Sequence, residues 1–245
     1  MLVKKGKKIY PTLLLKITQL NDTHDLDSHY LEYNRRMSLS KLALFRIQLF
    51  IMVLLICSSL QLNIRSFVSV DVSIKDKISE LQNRIIKEED WRMQQVKPVE
   101  KQNLHFSIFF LGDIAPEIVD ILISRLSGLV FQPFTVTYRG LGVFPSVAKP
   151  RTIWMGTDAE GAKKLTNLSQ KVVTRFRDVV KPDKPFIPHV TLFRVKNGRL
   201  RADNMLRKYN DISFGSDLID RIHIKKSQLT QSGPIYSVIF TVYGR

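Results

Sequence analysis

From Ile64 onward the apolar residues fall into alternating strand and helix rhythms. Ile64–Val72 (IRSFVSVDV) is rich in β-branched and aromatic residues and reads as a strand. Ile74, Ile78, Leu81 and Ile85 recur at helical spacing, with Ser73 the expected N-cap and Asp76 completing a variant capping box. Leu104–Leu111 (LHFSIFFL) is a second strand, ended by Gly112 and Asp113. Pro116 sits at a helix start, Ile118, Ile121, Leu122 and Leu126 form the apolar face, and Gly128 marks the stop. Phe134–Tyr138 and Thr152–Met155 read as strands around a Gly/Pro-rich turn, Gly140–Pro150. Ala162–Val180 is a second long helix with Leu165, Leu168, Val172, Val173 and Phe176 inward, broken by Pro182, Pro185 and Pro188. His189–Val195 (HVTLFRV) is a strand, Arg201–Lys208 a short helix, and strands at Asp220–Lys226 and Tyr236–Tyr243 close the chain. Strand–helix–strand thus occurs twice, and each half delivers a strand headed by histidine. The pattern predicts an α+β fold of two similar sheet-plus-helix lobes around a central cleft.

Residues 1–63 follow no such rhythm. A Lys-rich start and a polar stretch, Asn21–His29, lead to Arg35, Arg36, Lys41 and Arg46, then to an apolar run, Ile47–Cys57 (IQLFIMVLLIC). That run is shorter than the roughly 20 residues a spanning helix needs. It reads as an anchor, a poor signal peptide, a helix packed on the body, or a segment upstream of the true translation start. The last is preferred, because the similarity to a known family given below begins only near Ile64. Two regions are therefore expected: an N-terminal extension, 1–63, and a folded domain, 64–245.

Composition narrows the classes. With 44% apolar and 24% charged residues the chain is globular, neither disordered nor fibrous. Of the formal net charge of +16, +11 falls in residues 64–245, so the folded body itself is basic, as a protein that meets a polyanion would be. The single cysteine, Cys57, excludes an internal disulfide and a four-cysteine zinc site, and fits a reducing, cytoplasmic setting.

The candidate chemistry sits on the two His-headed strands. His105-Phe106-Ser107-Ile108 and His189-Val190-Thr191-Leu192 share one form: histidine, apolar, hydroxyl, aliphatic. Alternation along a strand puts His105 with Ser107 on one face, and His189 with Thr191 on one face, while the apolar partners turn away. Two imidazoles can be poised as acid and base near neutrality, and hydroxyls can hold phosphate oxygens as charge moves in the transition state. A single His-x-Ser/Thr is a trivial match, and a lone histidine at a strand start is usually structural. Two such motifs in separate halves favour a catalytic pair. No third ligand accompanies them, so neither a metal nor another cofactor is expected. His223 lacks the pattern and reads as structural, and His24 and His29 sit in the extension.

These paired motifs resemble the two-histidine (2H) phosphoesterase superfamily, and within it the RNA 2′,3′-cyclic phosphodiesterase family, also called 2′-5′ RNA ligase. The resemblance runs from about Ile64 to the C-terminus through RSFVSVD (Arg65–Asp71), NLHFSIFFLG (Asn103–Gly112), GVFP (Gly142–Pro145), PRTIW (Pro150–Trp154), FIPHVTLFRV (Phe186–Val195), KSQL (Lys226–Leu229) and GPIY (Gly233–Tyr236). It implies a bilobal fold with the histidines facing across a cleft. It implies opening of an RNA 2′,3′-cyclic phosphate to a 2′-phosphate, with His105 as proton donor and His189 as proton acceptor. Apart from the resemblance, the two roles could be exchanged. One departure is Ser107, where the family usually has threonine; the hydroxyl survives and the methyl is lost.

Arg194 matches a family arginine, and the resemblance implies a phosphate contact beside Ser107 and Thr191, with a structural salt bridge the alternative. Its odd offset from His189 puts it on the opposite strand face unless a bulge or the strand end re-aims it. Phe186 and Trp154 are candidates to stack on a base, against core packing. Arg151 is a second phosphate candidate. The expected partner is an RNA with a cyclic phosphate end, met by a monomer, with membrane contact through residues 42–62 the minor alternative. Ligation through the same site and a non-catalytic RNA- or nucleotide-binding module are the competing functions. Water at about 55 M outcompetes a 5′-hydroxyl end unless the RNA ends are held together, and intact His and hydroxyl pairs oppose the binding module.

Overall fold

The computed structural model describes residues 44–50, 52, 63–181, 185–196, 200–231 and 233–245. His24, His29, Cys57 and most of the expected apolar run lie outside them. Residues 44–50 and 52, which include the start of that run, are helical, with Leu44, Phe45, Ile47, Leu49, Phe50 and Met52 exposed. No described helix is long and apolar enough to cross a membrane. The chain divides into two compact units, 1–61 and 62–245.

The second unit is built on one antiparallel sheet. Its elements are β1 (Ile64–Asp71), α1 (Lys75–Glu88), β2 (Val96–Pro98), β3 (His105–Ile114), α2 (Pro116–Ser127), β4 (Phe134–Phe144) and β5 (Thr152–Thr157). They continue with α3 (Ala159–Phe176), β6 (Val190–Val195), α4 (Asp203–Tyr209), β7 (Ser213–Ile219), β8 (Arg221–Leu229) and β9 (Pro234–Tyr243). The strand order is β7-β4-β5-β6-β3-β1-β8-β9, with β2 paired to β6. The two halves of the sheet meet at β3 and β6, where the one registered pair is Phe106 opposite Val190. Both side chains are fully buried. The expected α+β lobes are thus two halves of a continuous sheet, hinged where the two histidine motifs begin.

The apolar faces of the helices cover the sheet. α3 buries Leu165, Leu168, Val172 and Phe176. Its N-cap is Asp158, whose carboxylate accepts from Gly161 N at 3.1 Å and Thr137 N at 3.2 Å, so the helix starts earlier than the apolar spacing predicts. α2 buries Val119, Leu122 and Leu126, while Ile121, expected inward, is 43% exposed. Ser73 does not cap α1. Its N–H and hydroxyl both donate to Asp217 at 2.6 Å, and Asp217 also accepts from Tyr138 Oη at 3.0 Å. A buried tertiary network has taken the hydroxyl from the local cap, and Ile74 stands at the cap position without a side-chain bond.

The strands are longer than their apolar runs. β4 continues through Gly140 and Gly142 to Phe144, where a turn was expected from Gly140 on. Gly140 has φ +69° at a ladder irregularity after Tyr138. A Cβ on Gly142 would lie 2.1 Å from Trp154 Cζ2, so glycine there lets the indole cross the neighbouring strand. β2 and β7 were not expected at all. β2 is only three residues long, and β7 is a Ser- and Gly-bearing edge strand without clean alternation.

Candidate active site

Local backbone sets the orientation of both imidazoles. His105 opens β3, and its Nδ1–H donates to the Asn103 carbonyl at 2.7 Å. His189 immediately precedes β6, and its Nδ1–H donates to the Ile187 carbonyl at 2.7 Å. In both cases the acceptor stands two residues upstream, which leaves Nε2 as the nitrogen with a free lone pair. His105 Nε2 accepts from Ser107 Oγ at 2.9 Å. Asn103 is itself fixed, its side-chain amide donating to Glu100 at 2.8 Å and to the Pro234 carbonyl at 2.9 Å.

His105, Ser107, His189, Thr191 and Arg194 all line one cleft of about 620 Å³. Arg194 reaches it because β6 is bulged. Trp154 pairs with Thr191 and Ile153 with Phe193, so Leu192 is an extra residue. Leu192 and Phe193 are both buried, the alternation changes phase, and Arg194 emerges exposed on the histidine side. β3 carries the matching bulge. Ser69 pairs with Ser107 and Val68 with Phe109, which skips Ile108. Ile108 and Phe109 are both buried, and Phe110 emerges on the cleft wall, 63% exposed. The two motifs therefore share their irregularity as well as their residues.

Aromatic rings hold each imidazole from the side. Phe67 and Tyr236 lie 5.0 Å and 5.3 Å from the His105 ring, and Phe144 lies 5.0 Å from the His189 ring. Burial pushes the His105 pKa down to about 4, the nearby Lys225 and His189 add to it, and the Asn103 carbonyl and Asp71 oppose it. Burial also lowers His189, against the Ile187 carbonyl. Burial therefore favours the neutral form of both imidazoles.

The remaining sequence candidates sit elsewhere. Trp154 packs on Phe144 at 5.1 Å and on His189 at 6.1 Å, behind the cleft wall rather than on it. Phe186 packs against the core, and Arg151 is exposed but does not line the cleft. His223 is buried, its Nδ1 2.9 Å from Thr241 Oγ1, and is not on the wall either. The aromatic lining consists of Phe67, Phe110, Phe144 and Tyr236, which periodicity could not separate from core residues. Among the described residues no three His, Cys, Asp or Glu side chains converge as a metal site would require.

Two half-sheets each present an imidazole and a hydroxyl into one aromatic-lined cleft that also carries Arg65, Lys97 and Arg194. The family model for the LigT like Phosphoesterase matches residues 68–154 and 156–236. An RNA 2′,3′-cyclic phosphodiesterase of Aquifex aeolicus is 40% identical over 186 residues, covering 74% of this chain and 97% of its own. One of Archaeoglobus fulgidus is 38% identical, covering 70% and 96%. A crystal structure of Escherichia coli LigT complexed with 3′-AMP superposes with a TM-score of 0.60 at 18% identity, covering 74% of this chain and 98% of that one. The chain belongs to the LigT-like phosphoesterase family.

Proposed function

We propose that this chain opens 2′,3′-cyclic phosphates at RNA ends to 2′-phosphomonoesters by acid–base catalysis between His105 and His189. The observation that carries the reading is the pair of Nε2 atoms, each fixed by an Nδ1–H bond to backbone, directed into one cleft with a hydroxyl two residues on. The curated relatives named for this activity support the substrate class.

In the reaction water attacks phosphorus, one imidazole takes the water's proton, and the other gives a proton to the departing 3′ oxygen. Following the family, His189 is the base and His105 the acid. A bound phosphodiester anion favours imidazolium, opposing the burial that favours neutral His105. Ser107, Thr191 and Arg194 surround the position of the phosphate oxygens, where a hydroxyl and a guanidinium stabilise the charge that builds up as the bond breaks. The exposed ring of Phe110, with Phe144, offers faces for bases, a role the sequence had placed on Trp154 and Phe186.

The test is incubation of the purified chain with an oligonucleotide that ends in a 2′,3′-cyclic phosphate. A 2′-phosphomonoester is the expected product. A 3′-phosphomonoester or unchanged substrate would reject the reading.

A further inference from the structure

The two histidines have matching backbone bonds, matching bulges and matching aromatic neighbours, yet among the described residues a charged pair stands beside only one of them. Lys225 is 5% exposed, and its ammonium donates to Asp71 Oδ1. Asp71 Oδ2 lies 3.8 Å from His223 Nε2. Asp71 is directly opposite His105 in the β1–β3 ladder, and such partners have Cβ atoms about 4.5–5.5 Å apart. Lys225 is opposite Phe67 in the β1–β8 ladder, and the Phe67 ring packs on the His105 imidazole. His189 has Phe144 and Trp154 as its ring neighbours. Burying the Lys225 ammonium costs more than burying an apolar side chain of the same size, so packing alone does not account for it.

We propose that Asp71 and Lys225 are positioning residues for His105, a half-buried ion pair that sets when this imidazole takes its proton and makes two matching histidines unequal. The inference rests on the reading of His105 as an acid–base group. The groups facing His105 are Asp71 from β1, Lys225 from β8, Tyr236 from β9 and His189 at the head of β6, with His223 behind Asp71. Lys225 disfavours imidazolium and Asp71 favours it.

The two halves of the pair therefore act with opposite sign. Lys225→Met removes a positive charge and leaves Asp71 unpaired, and both changes favour imidazolium. Asp71→Asn removes the opposing negative charge and leaves Lys225. The experiment follows the His105 Cε1–H resonance through a pH titration of the full chain, assigned by its loss in His105→Gln. Lys225→Met raises the titration midpoint by on the order of one pH unit, and Asp71→Asn lowers it. The limb of the kcat/KM profile that belongs to His105 moves in the same directions. Lys225→Arg, which keeps the charge, leaves the midpoint near that of the parent. A midpoint unmoved in Lys225→Met, or displaced the same way in both variants, overturns the proposal, since a purely structural pair has no reason to give opposite signs. Where Lys225→Met does not fold, Lys225→Gln against Lys225→Arg makes the same comparison. The resonance reports whether or not cyclic phosphates are opened, so a failure of the functional reading is distinguishable from a failure of this one.

Discussion

Each imidazole gives its Nδ1 hydrogen to a carbonyl two residues upstream, and this one backbone contact decides which nitrogen can do chemistry. General acid or base help is worth about 10²–10⁴-fold. His105→Ala and His189→Ala are each expected to lower kcat on a cyclic-phosphate oligonucleotide by at least that order with little change in KM. The double variant loses less than the product of the two, because groups that act as a unit are non-additive. Near-normal turnover in either single variant would remove the paired mechanism. The same donor set predicts that excess EDTA leaves the rate unchanged; activity lost to the chelator and regained on adding a divalent ion would contradict it. Burial of His105 also has a consequence for stability. Its ordinary pKa is 6.5 and its folded value is about 4, so between these values the unfolded chain binds the extra proton. Stability is therefore full above pH 6.5 and falls as pH drops towards 4. His105→Gln flattens this part of a stability–pH curve measured by denaturant titration, and an unchanged slope would mean that other groups dominate it.

At the level of the strand, the bulges matter as much as the histidines. An unbroken β6 would carry Arg194 to the core face, and the extra residue Leu192 brings it to the cleft. Deleting Leu192 would leave Arg194 an even four residues from His189 and so keep it on the cleft side. Arg194→Ala is expected to raise KM, whereas Arg194→Lys, which keeps charge without the fork, raises it less. Equal KM values for Arg194→Ala and the parent would argue that the guanidinium does not meet phosphate. The strands themselves were legible because alternation is local: Phe106 and Val190 are the apolar members of their motifs, and they are the residues that join the half-sheets. What was not legible depended on distant partners. Leu192 and Phe193 look like an ordinary apolar pair until β5 defines the register. Ser73 followed the rules for a cap and was drawn instead to Asp217, 144 residues away. Phe110 sits in an apolar run, and only the skipped Ile108 turns it outward. Asp71 and Lys225 are 154 residues apart, and nothing local in either strand announces the pair.

Taken whole, the chain divides into two compact units, and the cleft lies in the second. The core from Phe67 to Val242 is assembled from both halves of the sheet and the helices that cover it. The relatives from Aquifex and Archaeoglobus are covered over 96–97% of their length by 70–74% of this chain. Every residue named in the cleft lies between Arg65 and Tyr236. The +11 charge that would draw a polyanion also falls within residues 64–245. Residues 62–245 alone are therefore expected to unfold cooperatively at the same Tm as the full chain and to keep its kcat and KM on a cyclic-phosphate oligonucleotide. Because attraction of RNA is electrostatic, kcat/KM of both forms falls as salt rises, and with nearly the same slope if residues 1–61 make no phosphate contacts. A shorter form that is unfolded or inactive while the full chain works would make the first unit part of the fold. A shorter form that keeps kcat but has a higher KM and a shallower salt slope would instead place its basic residues on the RNA.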